Sequence, residues 1–234
     1  MNSVNLMAFL REAEAVPGHG QDRVSAFRRH RDLIVHLAGG AGGVAGGAAT
    51  AEFICEKSLK GDPATALSYL DATIHQLASG GKTGKLMKVL LSAESDSIFK
   101  NMPADEPPAS SYGLASAAIA TITDDGEITG ASVGDCKVWI FENGKPPEEP
   151  TMLQSHRPLL GEGNAIHTRF NGRLTQGVLV MATDGLWKYA DWDRITKILR
   201  TLPAEKVADF LVASARLPTG ELQDDIAVAV VVKT

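Results

Sequence analysis

Asp22, Asp184 and the adjacent pair Asp224-Asp225 each stand where an apolar run begins or ends. Their local texts are Gln21-Asp22-Arg23, Thr183-Asp184-Gly185-Leu186 and Gln223-Asp224-Asp225-Ile226. Between the first two lies a glycine loop, Gly39-Gly40-Ala41-Gly42-Gly43. Aspartates far apart in sequence but gathered at strand ends suit a hard divalent cation such as Mg²⁺ or Mn²⁺, which prefers oxygen ligands. Taken singly, each has a plainer account. Asp184 could cap a following helix, and Asp224-Asp225 could be a solvated turn. The chemical reading rests on their occurring together and in order.

The elements that must position them follow from periodicity. Leu33 to Ala38 reads as a buried strand that runs into the glycine loop. Ala45 to Lys60 reads as a helix that stops before Gly61. Asp62-Pro63 marks another helix start, with Asp at the cap and Pro at the first helical position. Leu67, Leu70, Ile74 and Leu77 continue it at helical spacing, and Gly80-Gly81 ends it. A further helix is expected from Gly84 to about Lys100, then a proline-rich loop from Met102 to Ser111.

From Tyr112 the pattern turns to strands. Ala118–Thr123, Ile128–Val133 and Lys137–Phe141 are expected to form an antiparallel meander, its first turn at Asp124-Asp125-Gly126-Glu127. Val178–Ala182 and Ile226–Val232 read as buried strands, with helices at Trp192–Arg200 and Ala204–Ala215 between them. Blocks of strands interrupted by helices predict an α+β domain with helices packed on antiparallel sheets.

Bulk properties narrow the function. The 234 residues suffice for one large domain, and 44% apolar with 22% charged content is ordinary for a globular chain. A net charge of −5 gives no basic footprint for nucleic acid. Cys55 and Cys136 are too few for a disulfide framework, which predicts two buried thiols in a reducing cytoplasm. Leu33 to Ala51 is uncharged for 19 residues, but six are Gly and one is His36, so a membrane span is rejected. Gly80-Gly81-Lys82-Thr83 lacks the upstream Gly and the strand that a phosphate-binding loop needs. His75, His156 and His167 have no zinc-ligand spacing and are assigned to surface or loop positions.

The ordered set resembles the metal-dependent protein phosphatases of type 2C, the PPM family, in their short bacterial form. It comprises Gln21-Asp22-Arg23, the glycine loop, Gly113-Leu114-Ala115-Ser116, Gly134-Asp135-Cys136, Thr183-Asp184-Gly185-Leu186 and Asp224-Asp225. The family forms read roughly Glu-Asp, Asp-Gly-x-Gly-Gly, Gly-x-x-Ser-Thr, Gly-Asp-Ser, Thr-Asp-Gly-Leu and Asp-Asn. The resemblance spans about residues 17 to 233 and implies one domain over 1–234, a sandwich of two antiparallel sheets flanked by helices.

It also implies a function. Two Mg²⁺ or Mn²⁺ ions between the sheets would activate a bridging water that attacks phosphoserine or phosphothreonine. By position, Asp184 and Asp224 would ligate the first ion, Asp22 would stand in the layer behind, and Gly40 would offer a carbonyl to the second. Asp135 and Asp225 would support the site. The implied partner is a Ser/Thr phosphoprotein, the substrate of an opposing bacterial Ser/Thr kinase.

The departures are as informative. The bridging aspartate falls on Gly39, and the glutamate before Asp22 is Gln21. The phosphate-gripping arginine expected near Pro17 is missing, leaving His19 and Arg23 as stand-ins. Two functions therefore stand: a metal-dependent phosphatase with an impaired dinuclear site, or a pseudophosphatase that binds a phosphoprotein or regulates a partner.

Overall fold

The computed structural model describes residues 5–41, 46–56, 61–79 and 112–234. The predicted helix at 84–100, the loop at 102–111 and the Gly80-to-Thr83 segment lie outside these residues.

Two antiparallel sheets form a sandwich. One holds β1 (Leu6–Ala13), β9 (Ile226–Lys233), β8 (Gly177–Ala182) and β6 (Lys137–Glu142), in that order. The other holds β2 (Asp22–Arg29), β3 (Asp32–Gly40), β4 (Ala115–Ile122), β5 (Glu127–Val133) and β7 (Thr168–Arg173). Helices α1 (Gly47–Glu56) and α2 (Pro63–Ala78) pack on the five-stranded sheet. The four-stranded sheet carries the short α3 (Asp184–Trp187), α4 (Trp192–Thr201) and α5 (Ala204–Ser214) on its outer face. This is the expected α+β sandwich.

Strand alternation explains three layers of core. Side chains two apart share a face. Val35, Leu37, Ala118, Ala120, Leu179, Met181, Ala227 and Ala229 meet between the sheets. Ala38, Ala117 and Ile119 turn the other way, onto Leu67, Leu70 and Ile74 of α2 and Ile54 of α1. Val180, Val228 and Val230 pack on Ile195, Leu199 and Leu211. Each such buried aliphatic side chain stabilises by roughly 1.5–3 kcal/mol, so the strands are firm mounts.

One expectation needs correction. The meander stops after two strands: β4 and β5 pair, but β6 crosses to the other sheet and pairs with β8. The crossing turns at Gly134, whose φ of +84° is a left-handed conformation that glycine tolerates. The uncharged stretch Leu33–Ala51 divides as expected into β3 and the start of α1. No helix among the described residues is long and apolar enough to cross a membrane.

Several local readings hold. Asp62 caps α2, its carboxylate accepting from the Thr65 amide at 3.0 Å, and its other oxygen pairs with Arg169 of β7 at 2.6 Å. Cys55 and Cys136 are buried free thiols.

Candidate active site

The parity that builds the inter-sheet core also builds the site at its open end. In β3, positions 35 and 37 face inward, so position 39 does as well. Asp22 pairs with Gly39 across β2 and β3, and Gly39 pairs with Ser116 across β3 and β4. The opposite sheet contributes Thr183 at the end of β8. A Cβ on Gly39 would lie 3.1 Å from Ser116 Oγ, 3.2 Å from Asp22 Oδ1 and 3.3 Å from Thr183 Cγ2. Position 39 therefore points into the middle of the cluster. Its φ is not in the left-handed region, so its backbone suits a residue with a side chain.

Asp22 is only 6% exposed, and its Oδ2 has no hydrogen-bond partner among the described residues. Burial drives its pKa up, the Thr183 hydroxyl opposes this, and the charges of Asp184, Asp225 and Asp224 raise it further, to about 8. Gln21 also buries its Oε1 without a partner.

Asp184 opens α3 and pairs with the Lys188 ammonium one turn on. Burial works against the charge on Lys188, yet Asp184, then Asp135 and Asp224, hold its pKa above the usual lysine value. The Thr183 side chain does not cap α3; its hydroxyl instead accepts from the Ala227 amide at 2.8 Å, fixing β8 against β9. Gly185 permits a close approach: a Cβ there would lie 2.0 Å from the Asp225 carbonyl oxygen.

The two aspartates before β9 divide the work. Asp225 spends both oxygens on backbone, accepting from Ala15 at 2.8 Å and Gln21 at 2.7 Å. It thereby ties the β1–β2 connection to β9. Asp224 is half-buried, and its Oδ1 accepts from the Asp225 amide at 3.0 Å. Burial and then the Asp184 charge raise its pKa.

Two cavities lie at this end of the sandwich, and Asp22 lines the second. One, of about 270 Å³, is lined by Gly39, Gly40, Ser116, Asp135 and Asp184, with His156 and Arg157 also on its wall. The other, of about 400 Å³, is lined by Glu12, Glu14, Pro17, Arg23 and Asp225 with Asp22 itself. Arg23 follows Asp22 in β2 and so faces the opposite side of the sheet; its Nη1 donates to the Asp22 carbonyl at 2.8 Å. His19 is exposed and lines neither cavity.

Several contributors escape a reading of the sequence. His156 and Arg157 reach the cavity on a loop with no periodic pattern. That loop is held by Asp71 of α2, which accepts from the amides of Gly161, Gly163 and Ala165 at 2.7, 3.0 and 2.9 Å. His75 adds a 3.0 Å contact to the Gly161 carbonyl. Lys188 had a signal, its i,i+4 spacing from Asp184 on a helix.

The donor set accepts a cation only in part. Asp184 Oδ2 is engaged by Lys188, Asp225 is fully used by amides, and Gly39 offers no oxygen from a side chain. Among the described residues no group of three or more His, Cys, Asp or Glu converges as a metal ligand set. A dinuclear centre does not fit these residues. A single cation beside Asp184 and Asp224 is the most these residues could hold: the Asp184 charge acts on Asp224, and the Asp22 Oδ2 behind them has no partner among the described residues.

No protein-family profile and no curated protein matches the sequence. Solved structures do match. RsbX in complex with magnesium aligns over 100% of this chain and 98% of its own, with TM-score 0.70 and 13% identity. The serine/threonine phosphatase Stp1 from Staphylococcus aureus aligns over 98% and 94%, with TM-score 0.69 and 13% identity. PppA, a key regulatory component of T6SS in Pseudomonas aeruginosa, aligns over 100% of both chains, with TM-score 0.66 and 16% identity. From end to end, then, this chain has the fold of the bacterial type 2C (PPM) serine/threonine phosphatases.

Proposed function

We propose that the chain is a cytoplasmic phosphoprotein phosphatase of type 2C descent, acting on phosphoserine or phosphothreonine and of low hydrolytic power. The observation that carries this is the gathering of Asp22, Ser116 and Thr183 about position 39, with Asp184 on the wall of the cavity that Gly39 lines and the charges of Asp184 and Asp224 acting on Asp22. A partner kinase of the bacterial Ser/Thr type would supply the substrate. Asp184 and Asp224 would hold one Mg²⁺ or Mn²⁺, with Asp22 behind them and the Gly40 carbonyl at the rim. A bound divalent ion supplies Lewis acidity toward phosphoryl oxygens and a lowered pKa for water.

The chain's own residues supply the rest. Arg157 takes the place of the missing phosphate arginine, in preference to Arg23 or His19. Its guanidinium is two-thirds exposed on the cavity wall, and among the described residues only one nitrogen has a protein acceptor, Glu162 at 3.2 Å. The remaining donors form the planar fork that matches phosphate. Asp71 fixes the loop that carries it.

The test is hydrolysis of an aryl phosphate and of a phosphoserine peptide, with and without Mn²⁺. The parent is expected to show a slow Mn²⁺-dependent rate that Asp184→Asn abolishes. Arg157→Gln is expected to raise KM about fivefold. A rate unchanged by Asp184→Asn would refute the assignment.

A pseudophosphatase remains the second reading, favoured by the glycine at position 39 and by the lysine on Asp184. Tight phosphopeptide binding without turnover, in Mn²⁺ or without it, would select it.

A further inference from the structure

Lys188 lies one helical turn after Asp184, and its ammonium pairs with Asp184 Oδ2. An ordinary exposed ion pair points into solvent and matters little. This one differs in what surrounds it. The Asp184 side chain is 24% exposed and lines the cavity beside Gly39 and Asp135. Asp135 and Asp224 act on the same ammonium along with Asp184. The Trp187 ring also borders it, with the Lys188 nitrogen 5.6 Å from the ring centroid. The other nearby ammonium, Lys137, pairs with Glu149 at 3.0 Å.

An ammonium is a compact unit charge with three donors. A carboxylate oxygen engaged by it must release it before binding a dication. The neighbourhood has already lost negative charge, because Gly39 and Gln21 are neutral where carboxylates were expected. We propose that Lys188 is the resident cation of this carboxylate cluster and competes with divalent metal for Asp184, so that it sets how much metal the site requires. This rests on the reading of Asp184 as a ligand given above.

The experiment is calorimetric titration of the full chain with MnCl₂, for the parent, Lys188→Met, Lys188→Gln and Asp184→Asn. Both lysine variants are expected to bind Mn²⁺ about tenfold more tightly. Asp184→Asn is expected to weaken binding, and adding Lys188→Met to it should restore nothing. If the lysine variants stay within twofold of the parent while Asp184→Asn still weakens binding, this proposal fails and the phosphatase assignment stands. If no variant binds, or Asp184→Asn has no effect, both fail.

A second measurement uses the unaltered protein, in case either lysine variant fails to fold. The ¹⁵N signal of the Lys188 ammonium, followed during titration with MgCl₂, is expected to shift in step with saturation. A signal that ignores bound Mg²⁺ would overturn the competition.

Discussion

Asp22 and Asp71 are the same residue at the same depth, 6% and 5% exposed, yet their surroundings are opposite. Asp71 receives three backbone amides from the loop at 161–165. Asp22 has a partnerless oxygen and three other carboxylates in its field. A buried carboxylate that is fully satisfied holds structure together. One left unsatisfied costs stability, and persists where something outside the chain is meant to complete it. The pair thus separates scaffold from candidate site within one fold.

Removing each carboxylate should move stability in opposite directions. Asp71→Ala strands three amides, and hydrogen bonds to a charged group contribute about 1.5–3 kcal/mol each. A loss of roughly 4 kcal/mol or more is expected in urea unfolding. A loss below about 1 kcal/mol would mean that the loop carries itself.

Asp22→Asn should stabilise. The folded pKa of Asp22, about 8, lies above its unfolded value of about 3.9. Its contribution is therefore fully present below about pH 4 and is lost as pH rises through 8. The slope is up to about 1.4 kcal/mol per pH unit. In EDTA the parent should lose stability between pH 5 and 8, and Asp22→Asn should flatten that decline. The gain at neutral pH should be on the order of 3 kcal/mol. Parallel pH profiles for the two proteins would show that Asp22 is not the strained group.

Gly39→Asp sharpens the contrast by adding a second unsatisfied carboxylate beside the first. In EDTA its melting temperature should fall below that of the parent. With Mn²⁺ its hydrolytic rate should rise at least about tenfold, roughly 1.4 kcal/mol of barrier. A folded variant no faster than the parent would sink the impaired-enzyme account. The smallest effect is expected at Arg23→Gln, which should change phosphopeptide affinity less than about twofold, because Arg23 faces the other side of its sheet.

What the sequence disclosed follows the same division. Strands β3, β8 and β9 are buried on both faces, so they read as unbroken apolar runs. Strands β2 and β7 do not, because β2 carries Arg23, Arg28 and Arg29 and β7 buries only Phe170. The crossing of β6 to the other sheet is equally hidden: its text is that of any third strand in a meander. Asp22, Asp184 and Asp224 were legible because each adjoins an apolar run in a recognisable wording. Arg157 and Asp71 were not, since one is placed by a loop and the other acts on amides some 90 residues away. Only closure of the chain brings those together.

The rung joining Asp22, Gly39 and Ser116 has a consequence for heredity. The pairing of β2, β3 and β4 is fixed by Leu33, Val35 and Leu37 further along, so the residue at position 39 takes no part in setting register. Glycine and aspartate codons differ at their middle base alone when the third base is a pyrimidine. If Gly39→Asp raises the rate as predicted above, a lineage would cross between a weak and a strong hydrolase by one such point change.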